Sequence, residues 1–251
     1  MSLEVSYVSF DRSRRSAGDD PTARTPGQHA RGLVRRLRMR TLVTLGVLAV
    51  ATALLGRSLG WRDPIFSASE VALLLAMFVV SRYVLPLVDR HDRGATGEEQ
   101  VGQLLDGLAH SGWHVVHDAS FGHGNVDHIL IGPGGVFTVE TKSNPGPVRV
   151  ARLHGATLAQ AQAQRRAIER VTSEHVQPLV VYSRAWVDKP LTRRRGVRVV
   201  PARMLLAHLS RQPQRLTPQR VDRAHRRLAR ALAQFHAPRP RRRLRPPLLT
   251  R

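Results

Sequence analysis

Two apolar runs, Val126–Ile131 and Val136–Val139, are separated only by Gly132-Pro-Gly-Gly135. Short β-prone runs on either side of a Gly/Pro cluster read as two strands of a hairpin. Successive side chains of a strand point to opposite faces. Asp127, Ile129 and Ile131 therefore share one face, with His128 on the other. In the second strand Val136, Thr138, Glu140 and Lys142 share a face. The acid that opens the first run and the Glu-x-Lys that closes the second can thus converge across the hairpin.

That trio suits metal-dependent phosphodiester cleavage. Two carboxylates hold a hard divalent cation, and a lysine beside them can manage an attacking water and developing charge. Composition adds weight to the lysine. The chain carries 40 Lys plus Arg, but only Lys142 and Lys189 are lysines. A compact ammonium and a planar guanidinium are not interchangeable, so a lysine kept in an arginine-biased chain is suggestive. The alternative is a hairpin that ends in a surface Glu and Lys.

Further short motifs flank the trio in order: Gly97-Glu98-x-x-Val101, Trp113-x-Val-Val-His117-Asp118, Gly124-Asn-Val-Asp127-His128, and Gly132-Pro-x-Gly-Val-Phe before Val139-Glu140-Thr-Lys142. Together they resemble the NERD (nuclease-related) domain, grouped with restriction-endonuclease-like nucleases. The resemblance spans residues 94–210 and is specific over 97–142. It implies an α/β, restriction-endonuclease-like core with a mixed central sheet flanked by helices. It also implies metal binding by Asp127, Glu140 and the backbone carbonyl of Thr141, catalytic roles for Asp127, Glu140, Lys142 and Glu98, and a polar residue such as Gln160 or Gln164 from the helix after the lysine. A solvated helix face is the alternative for those glutamines. Glu98 lies three residues before Val101 and seven before Leu105, so it borders the apolar face of a helix over 98–109. Glu99 points away. The competing role for Glu98 is an acid that stabilises a helix N-terminus.

Two more apolar runs precede that domain. Leu42–Leu55 is apolar apart from Thr and Gly, and Val71–Val88 is interrupted by Ser81 and Arg82. Each extends to the length of about 20 residues that crosses a bilayer. Arg31, Arg35, Arg36, Arg38 and Arg40 before the first run, and Arg90 and Arg93 after the second, outnumber Arg57 and Arg62 between them. The positive-inside rule then puts both flanks in the cytoplasm. The reading is a multi-pass cell-membrane protein with a transmembrane hairpin over 41–88. A signal peptide ending near Ala51-Thr-Ala53 and a buried helical hairpin are the alternatives.

The remaining segments are expected as a disordered basic region over 1–40, a hinge over 89–96 and a nuclease-like domain over 94–210. A basic amphipathic helix over 217–236 and a disordered Arg/Pro-rich tail over 237–251 complete the chain. Thr96 or Gly97 is expected to cap the helix that follows the hinge. Strands are expected over Trp113–His117, Val148–Leu153, Val176–Tyr182 and Gly196–Val200, with helices over Ala156–Thr172 and Leu205–Ser210. In the last helix Val221, Ala224, Leu228, Leu232 and Phe235 form the apolar face.

A formal net charge of +22 favours polyanionic partners, either nucleic acid or an anionic lipid face. Without cysteine, disulfides and thiolate metal sites are excluded. Aromatics are scarce, which gives stacking-based single-strand recognition little to work with. No zinc spacing, P-loop or dinucleotide fingerprint occurs, and a metal role for His117, His123 and His128 is a minor alternative. The expected function is a membrane-anchored endo- or exonuclease that uses Mg²⁺ or Mn²⁺ and cuts nucleic acid, DNA in the first place, without strong sequence specificity. The alternatives are a catalytically silent nucleic-acid-binding or signalling module, and a membrane-organising protein whose basic ends bind lipid.

Overall fold

A computed structural model describes residues 25–59, 63–121 and 124–236. Expectations for residues 1–24, for Trp61, Arg62 and His123, and for the tail 237–251 lie outside those residues. The chain opens with a helical hairpin, α1 (Gln28–Leu59) and α2 (Pro64–Val79). Asp63 caps α2 by accepting a hydrogen bond from Ile65 N–H at 2.8 Å, and Pro64 takes the first turn, where no amide proton is needed. The helices close on each other where Gly56 faces the buried ring of Phe66; a methyl group at Gly56 would stand 2.6 Å from that ring. α1 and the continuous helical run Pro64–Ser111, which α2 opens, are long and apolar enough to cross a membrane. Leu42, Val47, Leu74 and Phe78 are exposed, so the alternative of a hairpin buried in a soluble core is not what forms. Residues 28–40, expected to be disordered, are the first turns of α1.

A single π turn over Val80–Val84 joins α2 to α3 (Leu85–Asp106). The expected hinge over 89–96 is therefore helical. Thr96 does not cap; its hydroxyl donates to the Asp92 carbonyl at 3.0 Å, as a mid-helix threonine does. The reason lies in packing from far along the chain. Pro26 covers Gly102, Gly27 abuts Ala95, and Arg31 and Arg38 pair with Glu99 and Asp92.

After a short 3-10 turn at Ala109–Ser111, the sheet begins with β1 (His114–Ser120), β2 (Asn125–Gly132) and β3 (Gly135–Lys142). β1 pairs antiparallel with β2, and β2 with β3 through pairs such as Ile129 with Thr138. The tight connection needs glycine twice: any side chain at Gly132 would overlap the Trp113 ring, and Gly135 has φ 123°. The Pro133 carbonyl at the tip accepts from Arg215 and Leu216 N–H at 2.7 and 3.1 Å.

Helix α4 (Gly155–Thr172) carries the chain to β5 (Val176–Tyr182), which lies parallel to β3; β8 (Val197–Pro201) lies parallel to β5. β7 (Arg193–Arg194) closes the edge, giving the order β1-β2-β3-β5-β8-β7. This is the mixed sheet expected. Short parallel strands β4 (Gly146–Val148) and β6 (Ala185–Val187) pair beside it. The strand expected over Val148–Leu153 stops at Val148. Asp188 takes the Val150 N–H at 2.9 Å and Arg194 holds the carbonyls of Val150 and Leu153, which stabilises a 3-10 turn instead.

Helices cover both faces of the sheet. Val101 and Leu105 of α3, with Leu205 and Leu209 of α5 (Ala202–Ser210), pack on Leu130, Phe137 and Val139. Ile168 of α4, with Leu228 and Leu232 of α6 (Pro218–His236), packs on Ile129, Ile131 and Val136. The expected apolar face of α6 is buried except for Phe235, which is 56% exposed.

Candidate active site

At the end of the β2–β3 hairpin, Asp127 leaves β2 on the same face as Glu140 and Lys142 of β3, as the alternation requires. Asp127 Oδ2 accepts the Thr141 N–H at 2.7 Å. Glu140 is 3% exposed, and both its oxygens are engaged. Lys142 Nζ donates to Oε1 at 2.6 Å, and Gln164 Nε2 of α4 donates to Oε2 at 2.6 Å. Gln164 Nε2 also reaches the Asn125 carbonyl at 3.0 Å, which ties α4 to the start of β2. Of the two glutamines singled out in the sequence, Gln164 joins the carboxylates; Gln160 is exposed in the neighbouring cleft.

α3 delivers Glu98 from the other side. Gly97 packs so closely on Ser143 and Ser183 that a methyl group there would stand 2.7 and 2.8 Å from their side chains. The helix therefore meets the strand end just beyond Lys142, and the Ser183 N–H caps that end by donating to the Lys142 carbonyl at 3.0 Å. Glu99 turns to Arg31, which leaves Glu98 facing the acids.

Asp118 is the fourth carboxylate. It belongs to the His117-Asp118 motif, in which the sequence alone assigns it no role. Its backbone adopts φ 51°, a left-handed conformation that Asp tolerates better than most residues. The turn interrupts the β1–β2 ladder between the pairs His117–His128 and Ala119–Val126. Asp118 is buried and accepts a hydrogen bond from the Asn125 amide. The available signal was a charged residue inside the apolar run Val115–Ala119.

Burial and crowding raise the proton affinity of Glu98 and Asp127. Burial first, then the charges of Asp118 and Glu140, push Glu98 up from 4.5 to about 7, with Lys142 partly opposing. Burial, then Glu140 and Glu98, hold Asp127 well above the usual carboxylate range, against the Thr141 N–H and Lys142. The site thus calls for positive charge beyond the single Lys142 ammonium. Carboxylates and a backbone carbonyl are the hard oxygen donors that Mg²⁺ and Mn²⁺ accept, and the buried Thr141 Oγ1 has no hydrogen-bond partner among the described residues. Among the same residues no three His, Asp or Glu side chains converge at metal-ligand spacing.

The histidines sit elsewhere. His117 and His128 lie under α3, with their Nδ1 atoms 2.8 Å apart, and His117 Nε2 stands 2.9 Å from Asp106 Oδ1. They face away from Asp127.

Residues 93–183 match the family model of the nuclease-related domain. The region that resembles this family lies behind two apolar helices. A solved repair endonuclease from Pyrococcus abyssi is similar at 16% identity over 45% of this chain and 42% of its own length, with a TM-score of 0.25. No curated protein matches the chain.

Proposed function

We propose that this protein is a membrane-anchored, metal-dependent nuclease whose nuclease-related domain faces the cytoplasm and cuts nucleic acid, DNA in the first place, without strong sequence specificity. The meeting of half-buried Asp127 and Lys142 with buried Glu140 and Gln164 at one strand end carries the reading. A surface Glu-Lys pair would need no glutamine from another helix and no neighbouring raised carboxyls.

In this reading Asp127, Glu140 and the Thr141 carbonyl hold a Mg²⁺ or Mn²⁺ ion, and Glu98 assists directly or through water. Bound there, the cation supplies Lewis-acid stabilisation of charge on the phosphate. Lys142, fixed by Glu140, orients the attacking water and places an ammonium where negative charge grows. Gln164 fixes the second oxygen of Glu140, so the carboxylate cannot rotate away. Exposed arginines of α6, including Arg223, Arg226 and Arg230, grip phosphates whatever the base sequence. The apolar faces of α1 and α2 and the arginines flanking them support the membrane placement.

The test uses the full chain in lipid nanodiscs with plasmid and single-stranded DNA, in Mg²⁺, Mn²⁺ or EDTA. Metal-dependent cutting that disappears in both Lys142→Ala and Asp127→Asn supports the assignment. Binding without cutting under either metal refutes it and favours a silent nucleic-acid-binding module.

A further inference from the structure

A cleft of about 810 Å³ opens beside the carboxylates, between the start of β2, the outer side of α4 and the last turns of α6. That is within the range of about 300–1,000 Å³ typical of small-molecule sites. Its composition is mixed in a particular way. Phe121 and Phe235 form an edge-to-face pair at one end, with ring centroids 5.8 Å apart. Phe235 is 56% exposed although the same face of α6 buries Leu228 and Leu232. A large ring left uncovered at the lip of a cleft marks a surface that gains by being covered. The floor along α4 is small, Ala163 and Ala167, so a flat group can lie close to the helix. Amides edge it: exposed Gln160 brings a donor and an acceptor, whereas Gln164 and Asn125 bring the acceptors Oε1 and Oδ1, which have no hydrogen-bond partner among the described residues, their amide nitrogens being engaged by Glu140, the Asn125 carbonyl and Asp118. Arg170 supplies a cation, and among the described residues no carboxylate lines the cleft.

A flat ring with donors and acceptors around its edge, attached to a phosphate, matches those walls. Gln164 sets the register, because the residue lining the cleft is also bonded to Glu140 Oε2. We propose that the cleft takes one unstacked nucleobase of the strand being cut, so that the substrate is nucleic acid with unpaired nucleotides rather than continuous duplex. The inference rests on the nuclease reading for the placement of the phosphodiester at Glu140. Aromatics are few in the chain, but two of its six phenylalanines meet here.

The test reads binding, so that it stands apart from turnover. The full chain carrying Asp127→Asn, in phosphatidylcholine nanodiscs, is titrated with a fluorescent single-stranded oligonucleotide and with the same sequence as blunt duplex. Removing one stacked ring by Phe235→Ala should weaken single-strand binding about tenfold and leave duplex binding nearly unchanged. Phe235→Tyr should bind as the parent does. Ala163→Trp, at an exposed position, fills the cleft and should reproduce the loss; its melting temperature checks the fold. Equal single-strand affinity in all variants, or an equal loss for duplex, overturns the proposal. Should the wild-type chain cut DNA while these variants bind normally, the cleft fails and the nuclease reading stands. Cleft-dependent binding by a chain that never cuts keeps the base site and refutes the nuclease reading.

Discussion

His128 makes the stability of the domain depend on acid in a way that can be calculated. Its ring is fully buried between β2 and α3, against Gly102, and shares its Nδ1 with His117, which in turn reaches Asp106. Burial first, then the neighbouring His117, lower its proton affinity from 6.5 to about 3. The unfolded chain therefore takes up a proton near pH 6.5 that the folded chain refuses. Stability from this group is complete above that pH and falls as the pH drops toward 3. One proton changes stability by about 1.4 kcal/mol per pH unit, so acidification to about pH 5 costs roughly 2 kcal/mol. His128→Leu keeps a side chain of similar size in an apolar layer and removes the titration. It also leaves His117 Nδ1 unpaired, a penalty of about 1–3 kcal/mol. Urea unfolding of the full chain in nanodiscs, followed by the fluorescence of Trp113, which is packed on Phe137, measures both proteins at about pH 7.5 and 5. The variant should start less stable, and the gap should shrink by roughly 2 kcal/mol on acidification. An unchanged gap would refute the argument that His128 is held neutral.

Three further outcomes follow from the site. Glu98 holds a proton to about 7 in the folded chain, whereas its ordinary value is 4.5; its contribution to stability therefore declines as pH rises between those values. Glu98→Gln removes that decline and, after allowance for solvent screening, should stabilise the metal-free protein at about pH 8 by roughly 1–2 kcal/mol, while reducing the thermal shift given by Mn²⁺. Gly97→Ala inserts a methyl against Ser143 and Ser183, so α3 must back away; melting should show a loss of about 1–3 kcal/mol, and cleavage should fall although no proposed ligand is touched. Replacing Arg223, Arg226 and Arg230 by Gln should flatten the slope of log affinity against log salt by about 2–3 for all DNA sequences alike; a sequence-selective loss would contradict phosphate contact.

The parts legible in the sequence were those governed by local period. Alternation over Asp127–Ile131 and Val136–Lys142 separated the acid-bearing face from the His128 face without help from the rest of the chain. What escaped depends on partners distant in sequence. Nothing near Gly94 to Gly97 says that Pro26, Gly27, Arg31 and Arg38 will brace the helix and abolish the hinge. Asp118 reads as a strand residue until its left-handed backbone turns it toward Asn125. Gln164 and Gln160 look equivalent on α4; only the packing of that helix against β2 and β3 separates them. Phe235 fits the apolar stripe of α6, yet the stripe outlasts the core it covers.

The run from Pro64 to Ser111 is helical almost throughout. At about 1.5 Å per residue, the eleven steps from Leu87 to Glu98 span roughly 16 Å. With the apolar stretch in a bilayer, as proposed, the acids stand on a stiff post at a set height above the lipid, and a slack leash is absent. Such a tool works within a thin layer. Its choice of target then comes as much from which strands are brought to the membrane, and with an unpaired end within reach, as from any letter of their sequence.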